Sequence, residues 1–332
     1  MLAILDILIA VAKVLGLLAF LQRTGLARKL NLVRRGPMET NLSFVGTRTS
    51  GKTTCAGLLY MTAVDMSLHG ALKVRTRQQN MDILRITAGL QAGTFPPPNP
   101  QGQYFKADIT LEFGRWPWSK RRVGLAFVDV AGEELAPVMK GFSGGGPFAA
   151  GPSADVGDVN RYLLNAAGFI LITDLAKVMG KEPEAQGIGY TDAALAQYVS
   201  ALFDHKSKNP QAPAFRGIAM VLTKYDQVQV ELANANVALV DKRSFLAFME
   251  RRMSLTYAAL KGNTDLDKVQ YFYSSVDLSR APRPATSGAA AGPLDASPTG
   301  LQIVVDPATG RPQYSKEQYE RLLRWIERTF AK

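Results

Sequence analysis

Eight residues, Gly46-Thr47-Arg48-Thr49-Ser50-Gly51-Lys52-Thr53, carry the strongest chemical pattern in the chain, fitting GxxxxGK[ST] at every fixed position. That order suits phosphate. Two glycines let the backbone wrap with its N–H groups inward, the lysine reaches β- and γ-phosphates, and the last hydroxyl ligates Mg²⁺. Here those roles fall to Gly46, Gly51, Lys52 and Thr53, with Thr47, Arg48, Thr49, Ser50 and Thr54 completing the wrap. A helix starting near Lys52 would point its positive end at the same phosphates. Downstream, Asp129-Val130-Ala131-Gly132 closes an apolar run. Its carboxylate suits a Mg²⁺ held through water, and Gly132 would let the backbone approach a γ-phosphate.

These residues need elements to hold them. Residues 42–45 read as a short buried strand and residues 52–67 as the helix after the loop. A short apolar stretch at 71–74 and a polar helical segment to about residue 91 follow. Residues 93–102 are too rich in proline for helix or central strand. Residues 104–113 and 123–130 read as strands close enough to pair as a hairpin. Residues 168–175 and 218–222 are short, strongly apolar strands, as in a sheet covered on both faces. Residues 269–273 form a further strand, residues 229–262 are helical by pattern, and residues 281–300 are a long Ala/Pro/Ser/Gly loop. An amphipathic helix, 315–330, packs on the sheet.

Composition narrows the classes. The 332 residues are 47% apolar, ample for a core. One cysteine, Cys55, excludes an internal disulfide and, with only His69 and His205, argues against a zinc site. The net charge of +11 could suit nucleic acid or an anionic membrane, but no nucleic-acid-binding motif accompanies it. Trp116-Pro117-Trp118-Ser119-Lys120-Arg121-Arg122 joins aromatic and basic residues at the hairpin tip. It packs on the domain itself or meets headgroups or a partner.

Over residues 1–21 only Asp6 and Lys13 interrupt an apolar run, about the length that crosses a bilayer core. Arg23, Arg28, Lys29, Arg34 and Arg35 follow, which predicts a cytoplasmic remainder. The expectation is a membrane helix at 1–22, a basic linker at 23–40 and one domain at 41–332. Two alternatives to a spanning helix stay open: a helix lying in the membrane interface, or one packed on a partner.

The phosphate loop, Asp129-x-Ala131-Gly132 and Thr223-Lys224-x-Asp226, in that order and each after a strand, resemble the Ras-like GTPases of the translation-factor class. The resemblance covers about residues 41–280. It implies the three-layer α/β fold of phosphate-loop NTPases, a mostly parallel sheet with one antiparallel edge hairpin, here preceded by the amino-terminal membrane helix. GTP/GDP and Mg²⁺ are the implied ligands. In that family the TKxD aspartate, Asp226 here, accepts from guanine N1–H and the 2-amino group. Adenine offers neither donor and would leave the carboxylate unpaired. Lys224 would lay its stem along the base, and Thr223 stands where the family more often has Asn. Ser274-Ser275-Val276 is similar to the family's Ser-Ala-x loop, whose N–H meets the guanine carbonyl.

Departures bear on mechanism. The family's switch I threonine has no unambiguous counterpart; Thr94 stands correctly before the hairpin to meet the metal, whereas Thr110 reads as a strand residue. Glu133 occupies the place of the glutamine that orients water in hydrolytic members. With Lys52 it forms the implied catalytic pair, and its charge opposes that of the γ-phosphate, so slow hydrolysis is expected. Lys140, Arg48 or a partner's arginine would supply the missing positive charge. Residues 133–160 form a long second switch, a flexible linker or a partner-facing segment. The length of chain and switches resembles bacterial double-GTPase or conflict-system relatives.

The implied function is a membrane-tethered switch that binds GTP, hydrolyses it slowly and is read by a protein effector or GTPase-activating partner. A pseudo-GTPase scaffold, a phosphate-loop ATPase and a nucleic-acid binder are the rival classes. Fractionation tests the tether: full-length protein is expected with membranes and protein lacking residues 1–35 in the soluble fraction, and a fully soluble full-length chain removes the anchor.

Overall fold

A computed structural model describes residues 40–47, 49–70, 72–76, 81–96, 105–114, 121–129, 166–180, 188–208, 213–235, 239, 241–280 and 301–331. The anchor expected at 1–22 and the basic linker, save Thr40, lie outside them. Among the described residues no helix is long and apolar enough to cross a membrane.

The sheet has seven strands: β1 (Thr40–Gly46), β2 (Leu72–Thr76), β3 (Phe105–Phe113), β4 (Arg121–Asp129), β5 (Gly168–Asp174), β6 (Gly217–Thr223) and β7 (Val269–Tyr273). Their spatial order is β2-β3-β4-β1-β5-β6-β7. From β4 to β7 all neighbours are parallel. The β3–β4 pair is the expected antiparallel hairpin, in register from Phe105 opposite Asp129 to Phe113 opposite Arg121. It is not the edge. The short stretch around residue 72 adds β2 antiparallel outside β3, with Leu72 opposite Phe113 and Val74 opposite Leu111. Alternation explains the position: Leu72 and Val74 reach the core, whereas Lys73 and Arg75 face outward.

Helices cover both faces. On one lie α1 (Lys52–Leu68), α2 (Met81–Gln91) and α8 (Lys316–Phe330), packed over Leu42, Phe44, Ile170 and Ile172. On the other lie α3 (Leu175–Val178), α4 (Ile188–Lys208), α5 (Gln229–Asn234), α6 (Lys242–Arg252) and α7 (Ser254–Asn263), packed over Val45, Phe169, Leu171 and Met220. Every residue of β5 and β6 is buried, which is why these strands read as continuous apolar runs. The helical pattern expected over 229–262 is three helices. Asp241 starts α6 with a capping box to Ser244, and Asp192 of α4 starts α7 by accepting from the Leu255 and Thr256 N–H groups at 2.9 and 2.8 Å.

Between β7 and α8 the chain forms an annex of two small ladders, β8 (Leu278–Arg280) with β9 (Leu301–Ile303) and β10 (Val305–Asp306) with β11 (Arg311–Pro312). It fastens onto α1 and the end of α2. Asp65 of α1 takes Arg311 at 2.6 Å and Lys316 at 2.8 Å, and the Ile303 N–H donates to Gly93 O at 2.9 Å.

The carboxyl-terminal part of α8 presses on the start of the sheet so closely that a Cβ on Gly168 would stand 2.3 Å from the Phe330 ring and 2.6 Å from Gly217 O. Gly168→Ala is therefore expected to cost about 2 kcal/mol of unfolding free energy through overpacking, read as a lowered urea midpoint with unchanged slope.

Candidate functional site

The parallel register decides where the motifs meet. Phe44 of β1 pairs with Phe127 of β4, each two residues short of Gly46 and Asp129. Gly46 itself pairs with Ile172, Asp174 with Thr223, and Leu222 with Tyr273. The carboxyl ends of β4, β1, β5, β6 and β7 thus open on one edge, where ligands of open parallel sheets bind. The phosphate loop, Asp129, Thr223 to Asp226 and Ser274 to Val276 all leave the sheet there.

Each glycine of the loop has its own reason. At Gly46 a Cβ would come within 2.6 Å of Ile172 O and 2.7 Å of Ser50 Oγ, so the limit is the neighbouring strand. At Gly51 the limit is the backbone, with φ of 79°. Gly51 also begins α1 with no side-chain cap, and the first turn carries no acid. The opening amides of a helix lack intrahelical acceptors and end its positive dipole, which makes this terminus receptive to an anion. Lys52, nearly buried, bends its ammonium back to Gly46 O at 3.0 Å and Thr47 O at 2.8 Å. Thr47 Oγ1 and Ser50 Oγ are buried with no hydrogen-bond partner among the described residues. Orphaned buried hydroxyls of this kind are costly unless a ligand meets them. Thr53 and Thr54 are half-buried on the first turn of α1.

The Thr223–Asp226 motif is fastened to this loop. The Thr223 hydroxyl donates to Ser50 O at 2.7 Å, with Thr173 O at 3.1 Å as second acceptor. Lys224, in the left-handed region at φ 56°, pairs through Nζ with Asp174 Oδ2 at 2.6 Å. Asp226 Oδ1 accepts the Val276 N–H at 3.3 Å. Burial pushes the Asp226 carboxyl above its ordinary value, with that Val276 bond pulling the other way. The Ser274–Val276 loop is held on both sides: Ser274 N donates to Leu222 O and Tyr225 N to Ser274 O. Ser274 Oγ meets the Tyr319 phenol at 2.6 Å, and Ser275 N donates to Ser315 Oγ at 3.0 Å.

Gly46, Thr47, Thr49, Ser50, Gly51, Lys52, Thr53, Thr54, Thr223, Lys224, Asp226, Ser274, Ser275 and Val276 thus lie along one rim. Thr94 lies at the end of α2, where its hydroxyl donates to Gly89 O at 2.9 Å. Asp129 ends β4 at the rim, but its side chain is outside the described residues, as are Arg48, Gly132, Glu133 and Lys140. Two residues escaped sequence reasoning. Fully buried Asp174 caps α3 through the Lys177 N–H at 3.2 Å while holding Lys224. Lys177, also buried, donates from Nζ to Thr49 Oγ1 at 2.7 Å, bringing another ammonium to the phosphate loop. The available signal was a carboxylate closing an otherwise apolar strand at the edge where the motifs gather.

Sheet and loop together define a phosphate-loop α/β domain, with the motifs gathered at the carboxyl ends of its parallel strands. No family model and no curated protein matches the chain. Solved structures with similarity include the Saccharomyces cerevisiae Ski7 GTPase-like domain bound to GTP, at 14% identity over 71% of this chain and 42% of that one, TM-score 0.36. A signal recognition particle receptor SRb-GTP/SRX complex from Chaetomium thermophilum matches at 10% identity over 63% and 89%, TM-score 0.31. The small COPII coat GTPase SAR1 of Encephalitozoon cuniculi with GDP matches at 13% identity over 79% and 81%, TM-score 0.30. The chain spans less than half the length of the Ski7 chains it matches.

Asp174→Asn removes the charge facing Lys224 and is expected to cost about 2 kcal/mol, less than the 3–5 typical of a fully buried pair because Lys224 is a quarter exposed. A double-mutant cycle with Lys224→Met, read by urea unfolding, is expected to show positive coupling.

Proposed function

We infer that the rim binds a guanine nucleoside triphosphate, and that the chain is a GTP-dependent switch with slow intrinsic hydrolysis. The observation that carries this reading is the attachment of the base-side motif to the phosphate loop through Thr223 and Ser50. One ligand can therefore touch Lys52 at one end and Asp226 at the other.

The residues present fit this ligand. The loop offers the uncapped start of α1 and the buried hydroxyls of Thr47 and Ser50. Lys52 would exchange its loop carbonyls for β- and γ-phosphate oxygens. Lys177, beside Thr49, adds positive potential at the same loop. Thr53 and Asp129 are the residues that would hold Mg²⁺, which when bound neutralises charge on the phosphate oxygens. Thr94 would have to release Gly89 to join them.

Specificity rests on Asp226. Its raised carboxyl value reflects lost solvation, and guanine N1–H and N2–H would replace the missing donors. Adenine would not. Tyr225, stacked on Tyr273 with ring centroids 4.5 Å apart, stiffens the turn that presents this carboxylate. In the same reading residues 1–22 tether the domain to a membrane with the GTPase domain in the cytoplasm. A protein partner senses the segments after β4, and Glu133 makes unassisted turnover slow.

Nucleotide co-purification and fluorescent-nucleotide titration test the proposal. GTP or GDP is expected with the purified chain, and excess ATP is expected to compete poorly. Lys52→Ala should abolish binding. Asp226→Asn should shift preference from guanosine toward xanthosine nucleotides, because the amide presents a donor to the altered base edge; retained GTP preference would place another group at that edge. The folded chain holds the Asp226 proton more tightly than the unfolded one, so ionising this group opposes folding above its ordinary value. GTP affinity is accordingly expected to fall as pH drops through the raised value, and Asp226→Asn to abolish that dependence.

A further inference from the structure

The far edge of the sheet, β7, borders a groove of about 1020 Å³ walled by α8. Two features define its chemistry. Its floor is aromatic and belongs to a strand edge: Tyr271 and Phe272, on opposite sides of β7, both line it with Trp325. Since successive side chains of a strand point to opposite faces, a groove that meets both is looking at the backbone edge itself. Among the described residues β7 pairs with β6 alone in the sheet.

The walls are basic. Arg216, Lys268, Arg321, Arg324 and Arg328 line the groove against only Asp267 and Glu327. Local acceptors use little of this charge. Arg216 donates to Phe330 O, Arg321 to Gln318 Oε1, and Arg328 to Arg324 O, all neutral acceptors. Arg324 faces Glu320 at 3.2 Å, and Asp267 is taken by Lys242 at 3.1 Å.

We propose that this groove is a docking site for an extended acidic peptide segment of a protein partner, added as a strand to β7 with its carboxylates on the arginines of α8. A free strand edge supplies main-chain hydrogen bonds, and flanking pockets read alternate side chains. Five residues of β7 offer about 16 Å of edge, enough to pair five residues of partner. A surplus of cations selects against basic strands and speeds encounter with acidic ones. The site stands at the opposite edge of the sheet from β2 and is independent of the nucleotide reading.

The test uses full-length protein and a labelled ten-residue peptide of alternating Glu and Val. Saturable binding with a change in Trp325 fluorescence is expected. Affinity should fall at least tenfold in Arg321→Glu or Arg328→Glu, two exposed positions whose unchanged circular dichroism would report an intact fold. The same peptide with alternate amides N-methylated keeps its charge and loses its ladder, and is expected not to bind. Equal binding of the N-methylated peptide, insensitivity to both charge reversals, or binding of a twelve-residue oligothymidylate or of phosphatidylserine vesicles that is tighter than the peptide's and is lost in Arg321→Glu and Arg328→Glu would each overturn the proposal.

Discussion

A single hydroxyl joins the two halves of the site. Thr223 Oγ1 bonds Ser50 O across the end of the sheet, and a Cβ on Gly51 would lie only 3.6 Å from the same threonine side chain. Within the loop, Lys52 also clamps Gly46 O and Thr47 O. The loop's curvature uses left-handed backbone at Gly51 and at Thr49, which holds φ of 58° without being glycine. Such backbone persists only when surrounding contacts over-determine it. Thr223 from β6, Lys177 from α3 and the Ile172 carbonyl from β5 are those contacts. A threonine is short enough to reach one carbonyl of the loop and stay buried, so it takes over the stitch without the second hydrogen-bonding arm of an amide.

Around this stitch the charges are arranged in tiers. Lys52 and Lys177 face the loop, whereas Lys224 is tied to Asp174 beneath the rim. Asp174 has two tasks at once, capping α3 and fixing Lys224, and that short helix in turn delivers Lys177 to Thr49. Removing the carboxylate would therefore disturb two cations together. Asp226 lies at the other end with less solvent than a carboxylate prefers and with backbone donors at Val276 and at its own N–H, a poise that suits recognition of a ligand bearing N–H groups.

Much of this arrangement was legible in the sequence because motifs of this kind are local. The phosphate loop, the β3–β4 hairpin and the buried strands β5 and β6 are written in consecutive residues, with periodicities of backbone geometry behind them. What was not legible depends on distant partners. β2 is five residues long and is a strand only because β3 offers it a ladder. Helix α4 is packed by both α7 and α3, and its sequence carries no sharp amphipathic stripe. Asp192 caps a helix beginning sixty-two residues later, so no capping pattern appears in the sequence around Ser254. Asp174 and Lys177 acquire meaning only once parallel register sets β5 beside β1. Thr94 was placed by order along the chain, whereas its hydroxyl closes the end of α2.

The phenol of Tyr319 lies fully buried between Ser274 of the base loop and Cys55 of α1, and its burial, with the thiol beside it, leaves both groups uncharged. It belongs to α8, more than forty residues after the loop it steadies. During synthesis, the seven described strands of the sheet can therefore emerge and pair before the Ser274–Val276 loop has its support. A nascent chain that has reached Val276 owns every motif and still lacks the brace that sets them. On the proposed reading, nucleotide capture would thereby be a late event in the birth of this domain, timed by the arrival of α8.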